Sequence, residues 1–280
     1  MKKPHDVMFL KIAGFGFRLK FGWTRLAHTK HFTQAIITRN YRQFIQKSKP
    51  KKIDCTIEFT EEEAIETLTK AKKSFFIRFY EETGKNKINT FYYIGTLELR
   101  LLLRNSLQNL LLENKGFTLH CSANLIFGKA FLFLGDQGTG KSTVAALLDK
   151  KYPALADDTS AFRKIGNNYF FFQTPFENKD WWIKKTAKKH PTGGIFFLKK
   201  SKYFKIVKIS ELDRIYPLFI NQCWGLDEEG SKKQIPRAIE FVKKFRDFYF
   251  LHFSKDQEKL LTFISDNYKT LEKKKKDKER

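Results

Sequence analysis

The residues with the plainest chemical purpose lie mid-chain, where Phe131-Leu132-Phe133-Leu134 runs into Gly135-Asp136-Gln137-Gly138-Thr139-Gly140-Lys141-Ser142-Thr143. Four apolar residues are enough for a buried strand, and Val144, Ala145, Ala146, Leu147 and Leu148 read as the helix that follows. A glycine, four intervening residues and Gly-Lys-Ser, set between strand and helix, form the phosphate-loop pattern in the context it requires. Glycines let the backbone curl so that several N–H groups converge on an anion. The helix start adds its positive end. Lys141 is placed to reach β- and γ-phosphates, and the Ser142 hydroxyl to ligate Mg2+. The implied ligand is a nucleoside triphosphate held by residues 135–143.

Two further groups flank this loop in sequence. Downstream, Tyr152-Pro153-Ala154-Leu155-Ala156 leads into Asp157-Asp158, and a short apolar strand ending in acidic residues is what a Mg2+-organising strand requires. Upstream, His120 sits within a strand read over residues 117–127. The residues alone leave alternatives open. Aspartate pairs also cap helices, and a histidine in a sheet can be a hydrogen-bonded structural group.

The elements that must position these groups can be read in outline. Residues 1–96 look like a small mixed α+β domain without visible chemistry. It opens β-rich over the first forty residues, with a strand or hairpin over 9–21, loops near residues 47–52 and forms a strand over 53–59. Thr60 and Glu63 suggest a capping box for a helix over 61–71, followed by strands over 75–80 and 88–94. A leucine-rich helix over 97–112 ends near Asn114 and Gly116. The strand carrying His120 turns at Gly128-Lys129 into the loop strand. Later come strands over 195–198 and 204–209, a helix over 211–216 capped by Ser210, a helix over 238–245 opened by Pro236, and an aromatic strand over 248–253. A last amphipathic helix starts at Asp256. Residues 97–268 thus read as the catalytic domain and 269–280 as a charged, solvated tail. Trp181 and Trp182, followed by Lys184, Lys185, Lys188 and Lys189, make either a lid for an acidic peptide or a solvated helix with one buried Trp.

Composition bounds the partners. With 280 residues, 41% of them hydrophobic and 30 of them Phe, a sizeable core is assured. The net charge of +24 attracts an acidic partner or simply reflects lysines spread over the surface. No compact basic patch dominates, which disfavours nucleic acid. Cys55, Cys121 and Cys223 form no C-x-x-C pair, pointing to reduced thiols in a cytoplasmic setting and away from disulfides or zinc. No apolar run approaches the roughly 20 residues of a membrane helix, and the N-terminus lacks a signal-peptide core.

The run from Leu119-His120-Cys121-Ser122-Ala123 through Gly135–Thr143 to Leu155-Ala156-Asp157-Asp158 resembles the catalytic core of the HPr serine kinase/phosphorylase superfamily. It is most similar to the HPr-kinase-related group that includes lasso-peptide-cluster peptide kinases. The similarity is clearest over residues 97–163 and more diffuse to about Ile264. It implies an α/β fold with a P-loop kinase core of HPr-kinase type, a mixed twisted sheet with flanking helices. It also implies ATP and Mg2+ as cofactors and a serine hydroxyl on a protein or peptide as acceptor. Asp157 would be the catalytic carboxylate, Asp158 would hold Mg2+ with Ser142, and His120 would lie beside the γ-phosphate, with Lys141 carrying charge. Which aspartate is base and which is metal ligand stays open. Homo-oligomerisation is an expectation of the resemblance only. Where kinase/phosphorylases proper carry an acidic residue and Arg-Gly before an apolar strand, this chain reads His190-Pro191-Thr192-Gly193-Gly194, which weighs against phosphorolysis and against HPr as substrate. A P-loop kinase of a small-molecule hydroxyl and a nucleic-acid-associated NTPase are the rival readings.

Overall fold

The computed structural model describes residues 6–25, 27–61, 69–71, 74–76, 79–92, 94–176, 182–223 and 228–276. It is a mixed α/β structure with two mixed sheets, a two-stranded ribbon and six α-helices among those residues. The chain divides into two compact units. One comprises Met1–Asn114 with Phe172–Phe176 and Lys185–Lys189; the other comprises Lys115–Phe171, Glu177–Lys184 and His190–Arg280.

In the first unit, β1 (Asp6–Ile12) and β2 (Phe15–Phe21) form a hairpin. Its two-residue turn, Ala13-Gly14, has both φ angles positive, the geometry that matches strand twist. Helix α1 (Ala27–Tyr41) follows, then β3 (Ile45–Gln46), β4 (Cys55–Thr60), the ribbon β5 (Thr69–Ala71) and β6 (Ser74–Phe76), β7 (Tyr80–Gly84), β8 (Lys87–Phe91) and α2 (Thr96–Glu113). The six-stranded sheet runs β3-β1-β2-β4-β8-β7. Strand β4 alternates strictly, with Cys55, Ile57 and Phe59 buried. Two expectations change here. The stretch after β2 is helical and not β-rich. The helix expected over 61–71 falls largely outside the described residues, and Thr69–Ala71 is a strand.

The second unit holds β9 (Gly116–Ile126), β10 (Lys129–Leu134), α3 (Lys141–Asp149), β11 (Ala154–Ile165), β12 (Asn168–Gln173) as far as Phe171, and β13 (Lys189–Lys200) from His190 on. It continues with β14 (Lys205–Lys208), α4 (Leu212–Ile220), α5 (Glu228–Lys244), β15 (Phe248–Phe253) and α6 (Gln257–Lys276). The sheet runs β10-β9-β11-β12-β13-β15-β14, and β10 also pairs with β13 in parallel. So β10 has β9 on one side and β13, then β15, on the other.

Period-two alternation explains why the loop strand is apolar throughout. Phe131 and Phe133 pack with Val144, Leu148, Leu260 and Ile264 of α3 and α6. Leu132 and Leu134 pack with Ile215, Phe219, Phe241 and Val242 of α4 and α5. Strand β13 repeats the pattern, with Phe196 and Leu198 on the first side and Ile195 and Phe197 on the second. A strand covered on both faces has no polar side, so it reads as a continuous hydrophobic run.

Several local expectations are corrected. Lys115, at φ +55, takes the left-handed position after α2, and Gly116 already belongs to β9. The β9–β10 turn is Phe127-Gly128, both at positive φ. Ser210 caps nothing; the residue preceding α4 is Glu211, and it makes no side-chain cap. Pro236 lies inside α5 and does not open it. The lysines at 273–276 continue α6. No helix among the described residues is long and apolar enough to cross a membrane.

Candidate functional site

Strand β10 ends at Leu134, and the chain then turns through glycines that only glycine tolerates well. Gly135 has φ +145, Gly138 φ +81 and Gly140 φ +104, and α3 begins at Lys141. The Thr139 N–H and hydroxyl both donate to the Asp136 carbonyl, at 3.2 and 2.8 Å, closing the loop on itself. The Val144 N–H donates to the Gly140 carbonyl at 2.9 Å and starts the helical ladder. Asp136, Gln137 and Gly138 are exposed, as is Ser142 in the first turn of α3, while Thr139, Gly140, Lys141 and Thr143 are half-buried.

Lys141 folds back on its own loop. Its ammonium donates to the Gly135 carbonyl at 2.6 Å and the Asp136 carbonyl at 3.2 Å. Partial burial pulls its pKa below the usual lysine value, opposed by the negative charge of Asp136, Asp157 and Asp158. The aspartates of β11 are therefore close enough to act on the loop lysine.

Strand β9 joins these groups. Its register with β11 sets Asp157 opposite Ser122, Asp158 opposite Cys121 and Thr159 opposite His120. His120 Nδ1 lies 2.7 Å from Asp158 Oδ1, with the two side chains 23% and 39% exposed. The Ser122 hydroxyl donates to the Lys141 carbonyl at 2.8 Å. Asn124 Nδ2 donates to the Ala145 and Tyr152 carbonyls, at 3.0 and 2.8 Å. Ser122 and Asn124, two residues apart, thus fasten β9 to α3, so the strand carrying His120 and the helix carrying Lys141 are fixed to each other.

The open edge of β9 is closed from elsewhere. Strand β10 pairs with β9 only from Ser122 to Ile126, because beyond Phe133 it leaves to become the loop. The amides that follow on β9 find other acceptors. The His120 N–H donates to the Gln222 carbonyl at 2.7 Å, and the Thr118 N–H and hydroxyl donate to Gln234 Oε1 at 2.5 and 2.8 Å. Gln234 is completely buried.

The residues singled out in the sequence thus fall into one neighbourhood of the second unit: the loop at 135–143, His120 against Asp158, and Asp157 opposite the serine that holds α3. The aspartates stand inside a twelve-residue strand and not at its end, because β11 stays in register with β9 along its length. Ser122, Asn124, Gln222 and Gln234 were not anticipated. Ser122 and Asn124 left a signal, two polar residues at period two within a buried strand. Trp181, considered as a lid residue, lies outside the described residues. The Ser142 hydroxyl and the aspartate carboxylates are hard oxygen donors of the kind Mg2+ takes alongside phosphate oxygens and water. Among the described residues, no cluster of three His, Cys, Asp or Glu side chains forms a metal cage.

No protein-family profile matches the chain. No curated protein matches it. Among solved structures, the Hpr(Ser) kinase/phosphatase from Coxiella burnetii is similar with a TM-score of 0.36 and 12% sequence identity, over 58% of this chain and 96% of that one.

Proposed function

We propose that this chain is an ATP- and Mg2+-dependent serine kinase that passes the γ-phosphoryl group to a hydroxyl of a protein or peptide. The observation that carries the reading is the 2.7 Å approach of His120 to Asp158 beside a phosphate loop whose lysine feels both aspartates. A likeness as distant as the Coxiella structure lends this no weight; the residues of the site do.

Phosphoryl transfer asks little covalent chemistry of the protein, mainly positioning and charge neutralisation. Residues 135–143 supply inward N–H groups, the start of α3 and the Lys141 charge for the phosphates. Ser142 and Asp158 are the residues that would hold Mg2+, which when bound neutralises charge on the β- and γ-phosphates. Asp158 already has one oxygen 2.7 Å from His120 Nδ1. Asp157 is accordingly assigned the other task, accepting the proton of the attacking hydroxyl. The net charge of +24 suits an acidic peptide as acceptor.

The test is Asp157→Asn, assayed with ATP and a serine-containing peptide library. Transfer should fall by about 10²–10⁴-fold, the usual worth of a general base, while Mg·ATP binding is retained. Full activity in that variant removes Asp157 as the base, and a wild-type protein that binds no nucleotide removes the whole reading.

A further inference from the structure

Strands β13, β15 and β14 lie side by side at one edge of the second sheet. Their register sets both Lys199 and Lys205 opposite His252, and both Phe197 and Val207 opposite Phe250. Residues opposite one another share a sheet face. Two rows therefore cross the three strands, Lys199–His252–Lys205 and Phe197–Phe250–Val207. One row further along, Ile195 and Phe248 are buried with Phe219 and Phe241 of α4 and α5. Away from those helices the face opens: Lys199, Lys205 and Val207 are exposed, and Phe250 and His252 are half-buried.

The open part has a floor and a sign. Lys199 Nζ lies 5.4 Å from the centre of the Phe250 ring, and Arg214 Cζ, reaching in from α4, lies 5.6 Å from the same centre. Tyr203, 57% exposed, stacks on His252 with the ring centres 5.6 Å apart. Among the described residues, Lys199 and Lys205 form no ion pair, and the carboxylate that touches this group is Glu211, exposed and 3.8 Å from Arg214. No Asp or Glu occurs from Lys184 to Ser210 or from Phe248 to Lys255. Two like charges gathered on one ring gain from an anion that comes between them. Lysines on an edge strand also serve to block edge-to-edge pairing. That accounts for Lys205 on β14, but not for Lys199, two strands in from the edge, nor for Arg214, which comes from a helix.

We propose that this face docks an acidic segment of a partner polypeptide, with carboxylates on Lys199, Lys205 and Arg214 and an apolar side chain on Phe250 and Val207. Lys199 and Lys205 stand two strand spacings apart, about 10 Å, so one short segment spans both. Single-stranded nucleic acid fits less well, because bases need open ring faces to stack on. Phe250 is already met by two cations, and one face of Tyr203 is taken by His252. His120, Asp157 and Asp158 stand on β9 and β11, across β10 from this face. The face therefore grips its partner away from those groups, and the proposal does not rest on the kinase reading.

The experiment is fluorescence anisotropy of the full chain with a labelled peptide of glutamates around one leucine. It is run beside the same peptide with glutamine for glutamate, and beside an oligothymidylate of equal length. The glutamate peptide should bind and the glutamine peptide should not, and binding should weaken as salt screens the contacts. Lys199→Gln with Lys205→Gln should weaken it about tenfold or more, and Arg214→Gln alone about threefold or more. Lys47→Gln with Lys49→Gln removes the same charge from exposed positions of the other unit and should change binding less than about twofold. All five side chains are exposed, so the variants should fold. Equal losses in the two paired variants would mean that net charge alone attracts the peptide, and would overturn the docking face. So would a glutamate peptide that does not bind, or an oligothymidylate that binds about tenfold more tightly than it.

Discussion

Replacing Gln234 with Leu tests whether a single distant side chain holds the strand that carries His120. The substitution is close in volume and keeps the site apolar, so the cavity cost is small. What it removes is the acceptor for the Thr118 N–H at 2.5 Å and for the Thr118 hydroxyl at 2.8 Å, within a fully buried contact. A buried donor left without a partner costs about 1–3 kcal/mol. The N–H has no freedom to turn elsewhere, whereas the hydroxyl can rotate, so the sum comes to about 2–4 kcal/mol. The assay is urea unfolding of the full chain, with the midpoint shifted and the slope unchanged. Thr118→Val provides the second edge of a double-mutant cycle. It removes the hydroxyl and keeps the N–H, so the two changes should couple, with the double variant less destabilised than the sum. Nucleotide binding should persist, because the loop itself is untouched, while phosphoryl transfer falls as His120 loses its fixed backbone. A loss of stability below about 0.5 kcal/mol, the level of an ordinary surface substitution, would refute the idea that Gln234 closes this edge.

Two other predictions follow from the loop. Lys141 has a folded-state pKa below its usual 10.5 through burial, so the unfolded chain binds more protons in the window between the two values. Stability therefore gains with rising pH across that window, and the cost of the buried charge is fully present below it. Nucleotide-free Lys141→Met should be more stable than wild type near neutral pH, and the gap should narrow toward pH 10.5; a gap that is flat or widens would contradict the burial of this charge. Gly138 and Gly140 both have positive φ, but a Cβ on Gly138 meets open space and one on Gly140 meets Phe253. Both alanine variants should lose about 1–3 kcal/mol of backbone strain energy, with Gly140→Ala the worse of the two in thermal denaturation; the opposite order would mean that Phe253 yields freely.

How much of this was legible in the chain depends on the distance over which each feature is decided. Strand β10, the loop and α3 were visible because their signals are local: an apolar run, glycines, then a helical stripe. The β9–β10 hairpin was visible for the same reason. Helix α1 was not, since its sequence alternates small, polar and apolar residues without a clear stripe. The start of α5 was missed because Glu228-Glu229-Gly230-Ser231-Lys232-Lys233 has no apolar face, and Pro236 looked like a beginning. The placement of Asp157 and Asp158 inside β11 depended on pairing with β9, a non-local fact. Gln234 is separated from Thr118 by 116 residues, and no spacing rule reaches that far.

The same reasoning says why the long-range partners gather at this particular end of the sheet. A strand that turns into a phosphate loop must stop pairing, and the neighbour it abandons is left with inward-pointing amides. Here β10 departs after Phe133, and the abandoned amides belong to Thr118 and His120. They are not satisfied by the loop, because β10 pairs with β9 only as far as Phe133 and then turns away. They cannot be left to water, because Thr118, Gln222 and Gln234 are all buried. The acceptors must come from a later part of the chain, and Gln222 and Gln234 supply them. The histidine that faces Asp158 is therefore anchored by the same contacts that repair the sheet. A substitution at Gln234 should disturb stability and phosphoryl transfer together, whereas one at Asp157 should disturb transfer alone.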